Sequence, residues 1–199
     1  MEHRYQDVAQ RVASIVDWQS LGFPKGHGAL PPFKAIAKRL WFESYPDLSD
    51  LFSVATSLCV YGFVERAKQV GLTLAEIPNG TPEVRYMYIH SCFMLPCCFL
   101  ERAGDMEGAR PLRELALNPP GEPYRLGPAA LDGSMLANYW SMSDYDRTIN
   151  VGIPLSDVAN LAMMWVFGSP AREYTRERIG ELLDKNLAEI RSIPKWQPW

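Results

Sequence analysis

The stretch at 84–100 is apolar on nearly every side of a helix, and this constrains the fold more than any other feature of the sequence. A helix of that kind needs neighbours on most of its circumference, so it is expected in the middle of a bundle. Arg85, His90 and Pro96 interrupt the run, and its 17 residues stand at the short end of a bilayer span. It therefore reads as a buried helix and not as a membrane segment. Thr81-Pro82-Glu83 supplies a start signal: a hydroxyl cap, a proline in the first turn and an acid at the positive end of the helix dipole. Pro96 cannot donate its backbone hydrogen bond and is expected to kink the helix. Gly104 stops it, and Asp105 caps a shorter helix that continues to Leu117.

The rest of the chain repeats the same period. Val8, Val12, Ile15 and Val16 make one face of a helix at 4–18, and Phe33, Ala37, Leu40 and Trp41 make the stripe of a second helix opened by Pro31-Pro32 and stopped by Pro46. A third helix is expected from about Ser49 to Val70, with Gly71 as its C-terminal cap. Two further core helices are read at 128–147, from Leu131, Met135, Tyr139 and Met142, and at 154–167. Ser169-Pro170 repeats the cap-then-proline signal before an amphipathic last helix carrying Ile179, Leu182, Leu183, Leu187 and Ile190. Clean two-residue alternation is absent. The expected fold is all-α: one domain over 1–199, an irregular bundle of seven or eight helices built from αα-hairpins. Asn118-Pro119-Pro120-Gly121-Glu122-Pro123 is the strongest break, giving a hinge or long loop at 118–127, and a proline-bounded tail occupies 194–199.

A chain of 199 residues with 47% hydrophobic side chains can bury a sizeable core without disulfide or metal staples. The N-terminus, Met1-Glu2-His3-Arg4-Tyr5-Gln6, is polar at once and carries no secretory pattern, which predicts a cytoplasmic protein. In that compartment Cys59, Cys92, Cys97 and Cys98 read as reduced, buried, small apolar side chains. On a straight helix Cys97 lies about 140° and Cys98 about 240° round from Cys92, so the three do not converge on a metal. No metal or cofactor is predicted. His90 reads as a core histidine.

Catalytic signatures are missing as well. The segment 22–28, with Lys25 and His27, has no phosphate-wrapping arrangement and follows no buried strand. Lys34, Lys38 and Arg39 make a small basic face. With a formal net charge of −3, however, nucleic acid is not an expected partner. Neither a Ser-His-Asp nor a Cys-His constellation can be argued. Asp144 and Asp146, two residues apart, point about 200° apart on a helix and read as a helix-end acidic patch and not as a cation site.

Acid and aromatic residues concentrate in one region. Residues 101–150 hold eight acids against five arginines. Within them Glu122, Asp132, Tyr139, Trp140, Asp144, Tyr145 and Asp146 have the composition of a partner-binding face, since rings supply area and carboxylates steer a basic partner. Trp196 and Trp199 on the tail are expected to fold back onto the bundle. The alternative use of the fold is a small-molecule or enzymatic bundle, with an apolar pocket lined by Tyr88, Met94, Met163 and Met164 and a polar group such as His90.

Two resemblances follow from these residues. Leu100-Glu101-Arg102-Ala103-Gly104-Asp105-Met106-Glu107-Gly108-Ala109, with Leu112, Leu115, Ala116 and Pro119, looks like the turn and second helix of a tetratricopeptide repeat over about twenty residues. No second copy at the period of about 34 residues is present, and Pro111 falls inside the second helix, so the reading kept is a single αα-hairpin. In size, acidity, helical content and lack of catalytic signature, the whole chain resembles the small helical immunity proteins that neutralise bacterial toxins. That resemblance implies a non-catalytic inhibitor whose acidic, aromatic surface covers the basic active site of a toxin partner.

Overall fold

A computed structural model describes residues 6–16, 55–56, 58–77, 86–118, 120, 152–169 and 172–192. Among them there is no strand, and the architecture is all-α as expected. Six helices carry it: α1 (Gln6–Ile15), α2 (Val64–Leu74), α3 (Tyr86–Arg102), α4 (Met106–Leu117), α5 (Gly152–Phe167) and α6 (Arg176–Ser192). Residues 55–56 and 58–60 are also helical. The second predicted helix at 33–45, the start signal at 81–83, the helix at 128–147 and the tail at 194–199 lie outside the described residues.

α3 is the central element. It packs against α2, α4 and α5, while α1 rests on α2 and α6 rests on α5. Residues 92–98 are buried without exception, as an all-round apolar helix requires. α3 contributes Cys92, Phe93, Met94, Leu95, Cys97 and Cys98 to the core. Its neighbours each present a narrower stripe: Ala67, Val70, Gly71 and Leu74 from α2, Ala109, Leu112 and Ala116 from α4. α6 buries Ile179, Leu182, Leu183, Leu187 and Ile190 and leaves its charged face in solvent. Each such aliphatic side chain contributes on the order of 1.5–3 kcal/mol, so α6 is fixed chiefly by its middle and end. No helix among the described residues is long and apolar enough to cross a membrane.

α3 and α4 form the expected αα-hairpin, joined with almost no slack. Gly104 stands at φ +87° and closes α3 by a Schellman pair, its N–H donating to Glu101 O (3.0 Å) and the Asp105 N–H to Leu100 O (2.9 Å). Asp105 then caps α4, its Oδ1 accepting from the Gly108 N–H at 2.9 Å. The helices run continuously through Pro96 and Pro111. A proline ring nitrogen has no hydrogen to donate, so the bond from residue 96 to the Cys92 carbonyl is not made. It is on this carbonyl that Gly71 of α2 closes.

Three sequence expectations need correction. The helix read from 49 to 70 is divided: Gly62, at φ +86°, ends the helical residues before it, with Phe63 N–H donating to Leu58 O at 2.7 Å and Gly62 N–H to Cys59 O at 3.1 Å. Gly71 is consequently no cap. It lies inside α2, buried, where the absence of a side chain lets α2 and α3 cross closely. The last helix starts at Arg176 and not at Ser169-Pro170. Gly168, at φ +81°, ends α5, and Thr175 caps α6 by accepting from the Arg178 N–H at 3.2 Å.

Candidate functional site

The residues expected to form a partner face, Glu122, Asp132, Tyr139, Trp140, Asp144, Tyr145 and Asp146, lie outside the described residues, as do the segment 22–28, Lys34, Lys38, Arg39, Trp196 and Trp199. Tyr88 and His90 fall on the backbone of α3, but their side chains are outside the description. Met94, Met163 and Met164 are 4%, 6% and 4% exposed and belong to the hydrophobic core.

The polar centre that the fold does assemble is at the C-terminal end of α3. Glu101 follows Cys97 by one helical turn, on a face that is otherwise apolar, and its side chain is only 2% exposed. A buried charge is costly unless opposite charge and hydrogen bonds compensate it. Here three other helices deliver the compensation. From α4, Arg113 grips the carboxylate with both edges of its fork, Nε to Oε1 at 2.5 Å and Nη2 to Oε2 at 2.9 Å. From α5, Trp165 donates Nε1–H to Oε2 at 3.0 Å. Arg176, in the first turn of α6, donates Nη2–H to the same oxygen. Cys97 adds a weak S–H contact to Oε1 at 3.7 Å.

The arginines are themselves positioned by the surrounding helices. Arg113 Nη1 donates to Val166 O at 3.1 Å, satisfying a carbonyl in the last turn of α5, where the helix dipole favours a cation. Arg176 lies over the Trp165 ring at 4.4 Å from its centre, and Arg102 lies at 5.9 Å. Arg102 reaches α6 at Asp184 Oδ1 (2.7 Å) and Gly180 O (3.4 Å). Four helices therefore meet on one carboxylate.

The electrostatics follow from this wiring. Burial alone would raise the Glu101 carboxyl, but the hydrogen bonds from Arg113 and Trp165 and the charges of Arg113 and Arg176 outweigh it and hold the group below the usual carboxylate range. Four N–H donors converge on the carboxylate, three of them on Oε2 and one on Oε1. It is thus arranged to hold helices together. All four cysteines are buried, and none is in a disulfide. Burial, with the negative charge of Glu101 added, pushes Cys97 up to about 12, and burial raises Cys59, Cys92 and Cys98. These thiols are poor nucleophiles and poor metal ligands at neutral pH.

A second polar tie joins α1 to α2. Arg11 is held by Asp7 on its own helix at 3.0 Å and by both oxygens of Glu76, while Arg66 donates to the Ile15 carbonyl at the end of α1 at 2.7 Å. The Arg11 and Glu76 side chains are well exposed, so this pair stabilises only weakly.

Sequence reasoning did not find the Glu101 cluster. Its one local signal is an acid four residues beyond Cys97, extending the face of an apolar helix. No family model, curated protein or solved structure matches the chain.

Proposed function

We propose that this chain is a non-catalytic binding protein that works by occluding a protein partner. The observation that carries this reading is the inert state of the buried reactive groups. The carboxylate that four helices share is held by four N–H donors of the fold, and the four thiols are buried and held protonated. Chemistry of that kind serves cohesion and leaves the outer surface to act.

The contact face in this reading is the acidic, aromatic set Glu122, Asp132, Tyr139, Trp140, Asp144, Tyr145 and Asp146. Carboxylates there steer a basic partner, and the rings supply buried area once it docks. By the resemblance to small helical immunity proteins, the partner is a toxin and the setting is the cytoplasm, where the thiols stay reduced.

The test is capture of the partner from the native host with the full chain, followed by assay of the captured protein. Stoichiometric loss of the partner's activity is expected, relieved when Asp144 and Asp146 are replaced by lysine. A partner that stays fully active when saturated with the chain, or turnover of a substrate by the purified chain itself, would overturn the reading.

A further inference from the structure

We propose that the Glu101 junction is an acid-released latch on the first turns of α6. Among the described residues Glu101 is the one buried charge. The groups that face it are Cys97 from its own helix, Arg113 from α4, Trp165 from α5 and Arg176 from α6, while Arg102, the next residue of α3, is turned to Asp184 and the Trp165 ring. Protonation gives the carboxyl a hydrogen where it now accepts one, and it leaves Arg113 and Arg176 close together without a counter-charge. Cys97 is neutral throughout the acid range and offers no substitute.

The three helices that reach Glu101 do not lose equally. Arg113 keeps its bond to Val166 O, and α4 stays on α3 through Ala109, Leu112 and Ala116 and the Gly104 turn. Trp165 lies in a helix whose buried face carries Leu161, Ala162 and Val166. Arg176, by contrast, is 54% exposed and keeps only its stack on Trp165. Of residues 172–178 all but the half-buried Tyr174 are exposed, so before Ile179 little apolar surface holds the turn down.

The opening also has a natural limit. Arg102 keeps its bond to the Gly180 carbonyl, and Ile179, Leu182, Leu183, Leu187 and Ile190 keep the rest of α6 on α5. Acid therefore lifts the start of α6 and bares the Trp165 ring while the α3–α4 hairpin stays folded.

Amide hydrogen exchange on the full chain tests this, with rates corrected for the intrinsic effect of pH. The amides of residues 179–182 report the turn, since the Ile179 N–H donates to Thr175 O (2.9 Å) and its successors extend the same ladder. Between about pH 6 and pH 3 their protection is expected to fall several-fold more than that of 92–100. Glu101→Gln should show the low protection already at the higher pH and lose the pH response. Arg176→Gln, which leaves the Glu101–Arg113 pair in place, should do the same if Glu101→Gln fails to fold. Unchanged protection at 179–182 in acid would overturn the proposal, and so would loss of protection at 92–100 with the same midpoint.

Discussion

Gly71 of α2 stands so close to the Cys92 carbonyl oxygen of α3 that a methyl group at residue 71 would lie 2.5 Å from it. The obstacle is backbone, which cannot swing aside. At an open helical position alanine is preferred to glycine by about 0.5–1 kcal/mol. Here the sign reverses: Gly71→Ala is expected to lower stability by about 1–3 kcal/mol. Urea unfolding should show a lower midpoint at constant slope. An unaltered midpoint would mean that the helices separate at no cost.

Asp105 and Gly108 make one cap between them. A Cβ at residue 108 would overlap the Asp105 carboxylate, which must then leave the Gly108 N–H. Asp105→Ala should cost about 1 kcal/mol, and Gly108→Ala less, since alanine recovers about 0.5–1 kcal/mol of helix preference. Both remove the same bond, so the double variant should be no less stable than Asp105→Ala alone. Additive losses in a double-mutant cycle would contradict the shared cap.

Glu101→Gln should destabilise the protein at neutral pH by about 1–3 kcal/mol, below the loss for a fully buried pair because Arg176 is half exposed. The native carboxyl titrates below its unfolded counterpart, so the unfolded chain takes up its proton first as pH falls. The stabilisation is therefore complete above the unfolded value and disappears as pH drops through the native one. Urea melts of both proteins between about pH 7 and pH 3 should converge at the acid end. A constant gap would place the effect outside the charge.

The thiols predict the alkaline limb. Native Cys97 ionises only near about 12, and Cys59, Cys92 and Cys98 are raised as well, whereas the unfolded chain gives up these protons at the ordinary thiol value. Stability contributed by the protonated native thiols is complete below that ordinary value and is lost as pH climbs above it, by up to about 1.4 kcal/mol per pH unit per thiol. In reductant, the urea midpoint should fall steeply above about pH 9. Iodoacetamide at neutral pH should label none of the four until denaturant is added; rapid labelling of the native protein would contradict their burial.

The central helix was legible because its apolar residues leave no polar side for water, a property that needs no partner to be recognised. The Gly104-Asp105 joint was legible because a left-handed glycine followed by an acid cap is written in adjacent positions. Gly62 and Gly71 were confused because one glycine serves a turn and the other a crossing, and only the packing of α2 on α3 distinguishes them. Ser169 and Thr175 are equally good caps locally; the left-handed Gly168 that ends α5, together with the turn at 172–173, places the start of α6 at the second. The Glu101 cluster was not legible. Arg113, Trp165 and Arg176 stand 12, 64 and 75 residues away and are brought to one point by helix packing alone.

Glu101 ends α3 with its backbone carbonyl, which takes the Gly104 amide, and fastens α4 with its carboxylate, which takes Arg113. The interval between these two residues thereby becomes a ruler. Adding or deleting one position within α4 ahead of Arg113 would carry the guanidinium about 100° round its helix and off its oxygen. Interhelical connections ordinarily drift in length, but this one is held to a fixed count of residues.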